Sequence, residues 1–309
     1  PGMTAPADRV LSYEALRNLQ GRSNTRGALR LGIHAAGLIA TGWWVAVASG
    51  WLTVPAVFVL GLVQVALFAP AHETLHQTAF ASRRANAVVG WLTSAPSLLN
   101  AQFYTAFHLA HHRHTQIPGL DPELISSPPD TVWGYVARIL GWPFWLLRLL
   151  VVFDSWRGDL SRYPYITAAV APAIIRSVRA MSLMMVGGSI GSALLFGWTA
   201  PFLFWIGPQL LGQPPLRAYL LAEHTGCTHD RDGLTNTRTT LTNGLVRLLM
   251  WNMPFHAEHH MYPSIPFHRL PAAHIAIRTR LGFVQPGYVR WNFSFIRSLL
   301  RRSDRSIAL

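Results

Sequence analysis

Residues 54–76 read VPAVFVLGLVQVALFAPAHETLH, an apolar run from Val54 to Pro70 that gives way at once to His72-Glu73-Thr74-Leu75-His76. A helix needs about 20 apolar residues to cross a bilayer, and this run comes close to that length. Residues four apart share a helix face, so His72 and His76 point the same way where the run ends. The stretch therefore predicts a membrane-spanning helix that carries a pair of imidazoles at its end.

Three more stretches read as spans. Residues 31–51 precede this one, and residues 180–198 and 202–221 follow far downstream. Ser49-Gly50-Trp51-Leu52-Thr53 links the first pair and Gly197-Trp198-Thr199-Ala200-Pro201 the second, and neither link carries a charge. The other flanks are rich in arginine. Arg9, Arg17, Arg22, Arg26 and Arg30 precede the first span, Arg83 and Arg84 follow the second, Arg176 and Arg179 precede the third, and the tail is basic again. The positive-inside rule then puts both termini and the middle segment in the cytoplasm. The expected fold is all-α: four transmembrane helices in two hairpins, with a cytoplasmic helical cap from residues 71–179 and 222–309. The whole of residues 1–309 is read as a single membrane domain, in a bacterial inner membrane. Ala87 to Leu99 and Val132 to Phe153 are apolar too, but the first is short and the second is interrupted by Arg138, Pro143 and Arg148. A charge in the bilayer centre is costly, so both are read as helices lying at the interface.

Composition agrees with a membrane protein. Half of the 309 residues are hydrophobic and 13% are charged, against about 25% in an ordinary soluble domain. Mean hydropathy is +0.25. The net charge is +13, with Arg as the only strong base. A basic balance suits nucleic acid or an anionic membrane surface. Because the arginines flank apolar runs, membrane lipid is the expected partner and nucleic acid is not. Cys227 is the single cysteine, which excludes an internal disulfide and any Cys-rich zinc or iron–sulfur site. No short apolar stretch with a cleavage site precedes the first span, so no signal peptide is expected.

The 14 histidines are clustered. Besides His72 and His76, there are two H-x-x-H-H triplets: His108, His111 and His112 in the middle segment, and His256, His259 and His260 after the fourth span. His224 closes the fourth span in Ala222-Glu223-His224-Thr225-Gly226. Neutral imidazole is a good ligand for iron, zinc or copper. A pair, two triplets and one further histidine exceed the need of one metal and suit two. His229, five residues beyond His224, is an alternative for that further position. His34 and His274 read as satisfied polar residues, and His114 and His268 as supports beside the boxes. Glu73, Glu223 and Glu258 each adjoin a candidate ligand, while Asp121 and Glu123 follow the first triplet. These acids are expected to orient the imidazoles from outside.

The three boxes, in this order, resemble the membrane fatty acid desaturase superfamily, whose members include alkane hydroxylases and carotenoid ketolases and hydroxylases. The likeness is densest at His72-Glu73-Thr74-Leu75-His76-Gln77-Thr78-Ala79-Phe80, at Phe107 to Thr115 with Asp121-Pro122-Glu123, and at His256 to Pro266. It implies two iron ions held by His72, His76, His108, His111, His112, His256, His259 and His260. The segment around His224 is similar to one that supplies a further ligand in alkane hydroxylases. O2-dependent oxidation of an unactivated C–H bond in an apolar or lipid-like substrate is implied, with desaturation first and hydroxylation or ketolation as the alternative. With no cytochrome b5-like domain in the sequence, a separate electron donor is expected, such as a ferredoxin or rubredoxin with its reductase.

Two readings from other classes compete. His72-Glu73-x-x-His76 also fits H-E-x-x-H, a zinc peptidase signature with Glu as general base, which would make the chain an intramembrane zinc peptidase. That reading leaves the two triplets without a purpose. A histidine-rich metal transporter would carry its site within the spans near midplane, whereas these boxes sit at span ends and beyond.

Overall fold

A computed structural model of the chain describes residues 10–125 and 127–307, with side chains through residue 301. Arg9 and the side chains of Arg302 and Arg305 lie outside the described residues. The structure is mainly helical.

Helix α1 (Tyr13–Leu19) starts at Ser12, whose Oγ accepts from Ala15 N. Helix α2 (Asn24–Val47) starts at Ser23, whose side chain accepts from Arg26 N. A 3-10 turn then leads into α3 (Thr53–Val65) and α4 (Phe68–Leu75), and the three run on as one apolar helix, Gly50–Leu75. Helices α5 (Arg83–Ser94) and α6 (Ala101–His114) follow, the latter capped by Asn100, which accepts from Gln102 N and Phe103 N at 3.1 Å each. Next come α7 (Val132–Ile139), α8 (Trp142–Arg157) and the long α9 (Ala171–Phe196). A π-helical turn at Phe202–Ile206 introduces α10 (Gly207–His224). The last part holds β1 (Thr239–Leu241), α11 (Gly244–Leu249), α12 (His256–Met261), α13 (Leu270–Ile277), β2 (Val284–Pro286) and α14 (Tyr288–Ile307). The two strands pair in parallel, with Thr239 opposite Val284.

Among the described residues, Gly50–Leu75 and Ala171–Phe196 are long and apolar enough to cross a membrane. Helices α7 and α8 add a third only if they form one broken span, since they are bent by 45°; Gly141, at φ +77°, makes that bend. The expected first and fourth spans fall on α2 and on the turn plus α10. Neither passes the same test, for reasons visible in their residues. Helix α2 carries Arg26, Arg30 and His34, and α10 carries Gln209, Gln213, Pro214, Pro215 and Arg217. Much of α9 is exposed and apolar, including Leu183, Val186, Ile190, Leu194, Leu195 and Phe196. An apolar face this long, open on the protein's outside, belongs against lipid.

Helices α3 and α10 pack backbone to backbone. A Cβ on Gly61 would lie 2.4 Å from Pro208 O, and one on Gly212 would lie 2.5 Å from Gly61 O. Only glycine permits this approach, as at other membrane helix interfaces. One core, with Val65, Ala69, Phe80, Leu216, Tyr219, Trp251 and Phe267, ties α3, α4 and α10 to the segments on either side of α12. A second, with Phe103, Val151, Tyr163, Ile174 and Met181, ties α6 to α8 and α9. The ends of α4, α6 and α10 are thereby held near α12, and every histidine box lies on one of these helices or its cap.

Candidate metal centre

Helix α4 brings in His72, with His76 as its C-cap. Helix α6 brings His108, His111 and His112, α10 ends on His224, and α12 carries His256, His259 and His260. All nine converge. His72, His76, His108, His112 and His259 form one group, and His111, His224 and His260 a second; in each, one ring nitrogen per residue lies within 4.8 Å of all the others. His256 falls outside both by that measure but joins the second by contact, its Nε2 lying 3.2 Å from His224 Nε2.

Helix geometry explains the division. A helix turns about 100° per residue, so residues four apart lie about 40° apart and neighbours about 100° apart. His108 and His112 therefore face one group while His111 turns to the other. In α12 the same spacing sends His256 and His260 to the second group and His259 to the first. Each triplet thus contributes to both groups.

The imidazoles crowd at short range. His112 Nε2 is 2.9 Å from His108 Nε2 and 3.2 Å from His259 Nε2. His72 and His259 have ring centroids 4.7 Å apart, and His112 stacks on His260 at 4.1 Å. Burial, with the charge of neighbouring imidazoles, holds His108, His112, His256, His259 and His260 well below the usual histidine range. They are neutral, with lone pairs available. The Nε2 atoms of His72, His76, His111 and His260 are buried without a hydrogen-bond partner. Buried polar atoms normally find one, and converging unpaired imidazole nitrogens fit a transition metal in each group.

Several contacts fix the rings from behind. His111 Nδ1 donates to Asp121 Oδ1 at 2.9 Å. Burial disfavours its charge, but Glu123 and Asp121 outweigh that and raise its pKa. Asp121 is itself held by the amides of Gln116 and Glu123, at 2.8 and 2.9 Å. His224 Nδ1 donates to Asn236 O at 3.2 Å, which leaves Nε2 turned towards His256. Metal-binding histidines are commonly oriented by a carbonyl or carboxylate in this way. Glu223 Oε2 lies 3.4 Å from His256 Nε2, and Glu123 Oε2 lies 3.8 Å from His111 Nε2.

The other two acids do something else. Glu73 Oε1 accepts from Phe267 N at 2.8 Å, tying the first box to the chain after the third. Glu258 Oε1 accepts from His274 Nδ1 at 2.5 Å, and Thr239 Oγ1 donates to its Oε2. His274 is thus satisfied by Glu258, as His34 is by Val63 O at 2.8 Å. His229 stands apart from both groups, donating from Nδ1 to Gln116 O at 3.3 Å. Tyr104, whose OH is 3.5 Å from His108 Nδ1, escapes sequence reasoning. Its position one turn before His108 is the signal that could have found it.

The sequence model of the fatty acid desaturase family matches residues 49–292. A dihydrorhizobitoxine desaturase from Bradyrhizobium elkanii is 28% identical over 294 residues, covering 89% of this chain and 81% of its own. A sphingolipid delta(4)-desaturase-like protein from Arabidopsis thaliana is 25% identical, covering 72% of this chain and 63% of its own. A zeaxanthin 4-ketolase from Chlamydomonas reinhardtii is 26% identical, covering 72% and 45%. The chain therefore spans less than two thirds of the length of the Arabidopsis and Chlamydomonas relatives.

Proposed function

Because the chain belongs to the fatty acid desaturase family, we propose that it is a diiron membrane oxidoreductase that uses O2 to desaturate an apolar or amphiphilic substrate. The observation that carries this reading is the convergence of histidines from four separate helix ends into two adjoining groups. His72, His76, His108, His112 and His259 would hold one iron, and His111, His224, His256 and His260 the other. Bound there, the iron pair would activate O2 and take hydrogen from an unactivated C–H bond.

The remaining work falls to the chain itself. Asp121 and Asn236 O fix the tautomers of His111 and His224, so that each presents Nε2 to the centre. Phe68, Phe107, Leu147 and Leu220 line a cavity that reaches the histidines. Their apolar surface desolvates a substrate chain and keeps bulk water from the reacting carbon.

In the bilayer, we place residues 31–51, 54–70, 180–198 and 202–221 as four spans, with residues 71–179 and 222–309 as one cytoplasmic cap of a single domain. The uncharged links at Gly50 and Ala200 against arginine-rich flanks support this arrangement. The same arginines suit an acidic electron donor such as a ferredoxin or rubredoxin.

Hydroxylation or ketolation is the second reading, favoured by the likeness to a zeaxanthin 4-ketolase. The zinc peptidase reading needs a Glu free to act as base, whereas Glu73 is engaged by the Phe267 amide and His72 sits among other imidazoles. Metal analysis of the purified protein tests the proposal. About two irons per chain are expected; about one zinc and no iron would overturn it. Product analysis then separates the outcomes, loss of two hydrogens marking desaturation and gain of oxygen marking hydroxylation.

A further inference from the structure

The cavity beside the histidines has a volume of about 480 Å³ and is reached by His72, His108, His224 and His256. Another part of its wall carries two arginines from different helices, Arg148 of α8 and Arg217 of α10. Both guanidinium groups face the Phe144 ring, at 5.0 and 4.3 Å from its centroid. Sharing one ring brings the two cations close together. Arg148 is only 8% exposed, and the Nε atoms of both arginines are buried without a partner. Among the described residues, no carboxylate lies within 4.0 Å of either, whereas Arg162, also on the cavity wall, pairs with Asp154 at 3.0 Å. The acids on the same wall, Glu123 and Glu223, contact imidazoles and feel the Arg217 charge only from beyond ion-pair distance.

Two like charges out of water with no carboxylate in contact are costly, and the aromatic ring that both touch compensates only in part. A single anionic group between the guanidiniums would satisfy both, because each presents a planar fork of donors suited to carboxylate or phosphate oxygens. Phe107, Leu147 and Leu220 add an apolar stretch to the same wall. We propose that this cavity takes a small amphiphilic acid as the free anion, its head held by Arg148 and Arg217 and its tail lying along the apolar wall towards the histidines. That this acid is the substrate rests on the oxidoreductase reading above; the anion site stands without it. Neutral lipids, esters and hydrocarbons lack the head that this site recognises.

The test is a binding measurement on the purified, metal-loaded protein in an uncharged detergent. Dodecanoate, dodecyl phosphate and methyl dodecanoate are titrated into wild type, Arg148→Gln and Arg217→Gln, with iron content measured on the same samples. Wild type is expected to hold an anionic probe at least ~10-fold tighter than the ester, the worth of a charge-assisted pair. Each variant should lose that preference while keeping its metal and its affinity for the ester. The order of the two anions tells a carboxylate site from a phosphate site. Equal binding of acids and ester by wild type would overturn the proposal, and so would a preference that survives in both variants. If a variant fails to fold, the wild-type comparison still decides. Failure of the diiron reading would show as missing iron with the anion preference intact, and failure of this inference as iron present with no preference.

Discussion

Replacing Asp121 by Asn keeps the side chain's shape but removes one charge from behind the imidazoles. The Asp121 side chain is fully buried. Its Oδ1 accepts from His111 Nδ1 and from Glu123 N, both at 2.9 Å, and its Oδ2 accepts from Gln116 N at 2.8 Å. Three donors thus converge on two oxygens. Asn offers one acceptor oxygen, so its NH2 must face a donor in either orientation. Leaving one buried donor unsatisfied costs about 1–3 kcal/mol. Loss of the carboxylate behind a metal-binding histidine typically lowers metal affinity about 10–100-fold, or about 1.4–2.7 kcal/mol. The effect should be confined to the group of His111, His224, His256 and His260, because no imidazole of the other group touches Asp121. The assay is iron content after dialysis against a graded chelator series. In Asp121→Asn, half of the iron should leave at about 10–100-fold lower chelator activity, with the other half released as in wild type. Asp154→Asn, which breaks only the contacts to Arg162 and Tyr163, serves as the control and should release iron as wild type does. If the Asp121→Asn and wild-type curves coincide, or if both halves shift together, the assignment of Asp121 to one group is wrong.

Two further outcomes are expected. His224→Ala should lose iron from the second group and abolish oxidation while the protein still inserts and folds, whereas His229→Ala, whose ring donates to Gln116 O instead, should keep both irons; a His224→Ala protein with full iron and near-normal turnover would remove His224 from the site. Cysteine labels at Gly50 and Ala200 in a Cys227→Ser background should react from the side opposite to a label at Arg84, and reaction of Gly50 and Arg84 from the same side would sink the four-span arrangement.

The histidine boxes are legible because helix geometry demands their spacing. Residues that must meet one centre from one helix recur at three and four, and that period survives in the sequence whatever the fold around it. The partition into two groups is less legible. It depends on how α6 and α12 face each other, and a difference of about 100° between neighbours only acquires meaning once both helices are placed. The membrane topology is legible in part for a related reason. Gly50–Leu75 and Ala171–Phe196 announce themselves by uniform apolarity. Helix α10 buries Gln209 and Gln213 against its neighbours; Gln209 donates to Gln64 Oε1 and accepts from Ser97 Oγ, while Gln213 has no hydrogen-bond partner among the described residues, so its polar residues keep it from reading as uniformly apolar.

Single charges mislead most. Glu73 and Glu258 sit beside ligand-like histidines in sequence, yet adjacent residues on a helix point about 100° apart. Each carboxylate accordingly turns away, Glu73 to the amide of Phe267 and Glu258 to His274 and Thr239. Their work is to pin the box-bearing segments together. Arg148 misleads in the opposite sense. In sequence it interrupts an apolar run and argues against a bilayer-spanning helix, and nothing near it suggests a partner. The fold buries it nevertheless, against the same Phe144 ring as Arg217, from a helix about seventy residues away. A charge that an apolar helix retains despite its cost marks a contact with something the helix does not itself contain. On the proposed function, the boxes would carry the oxidation and these arginines would select the substrate's head group.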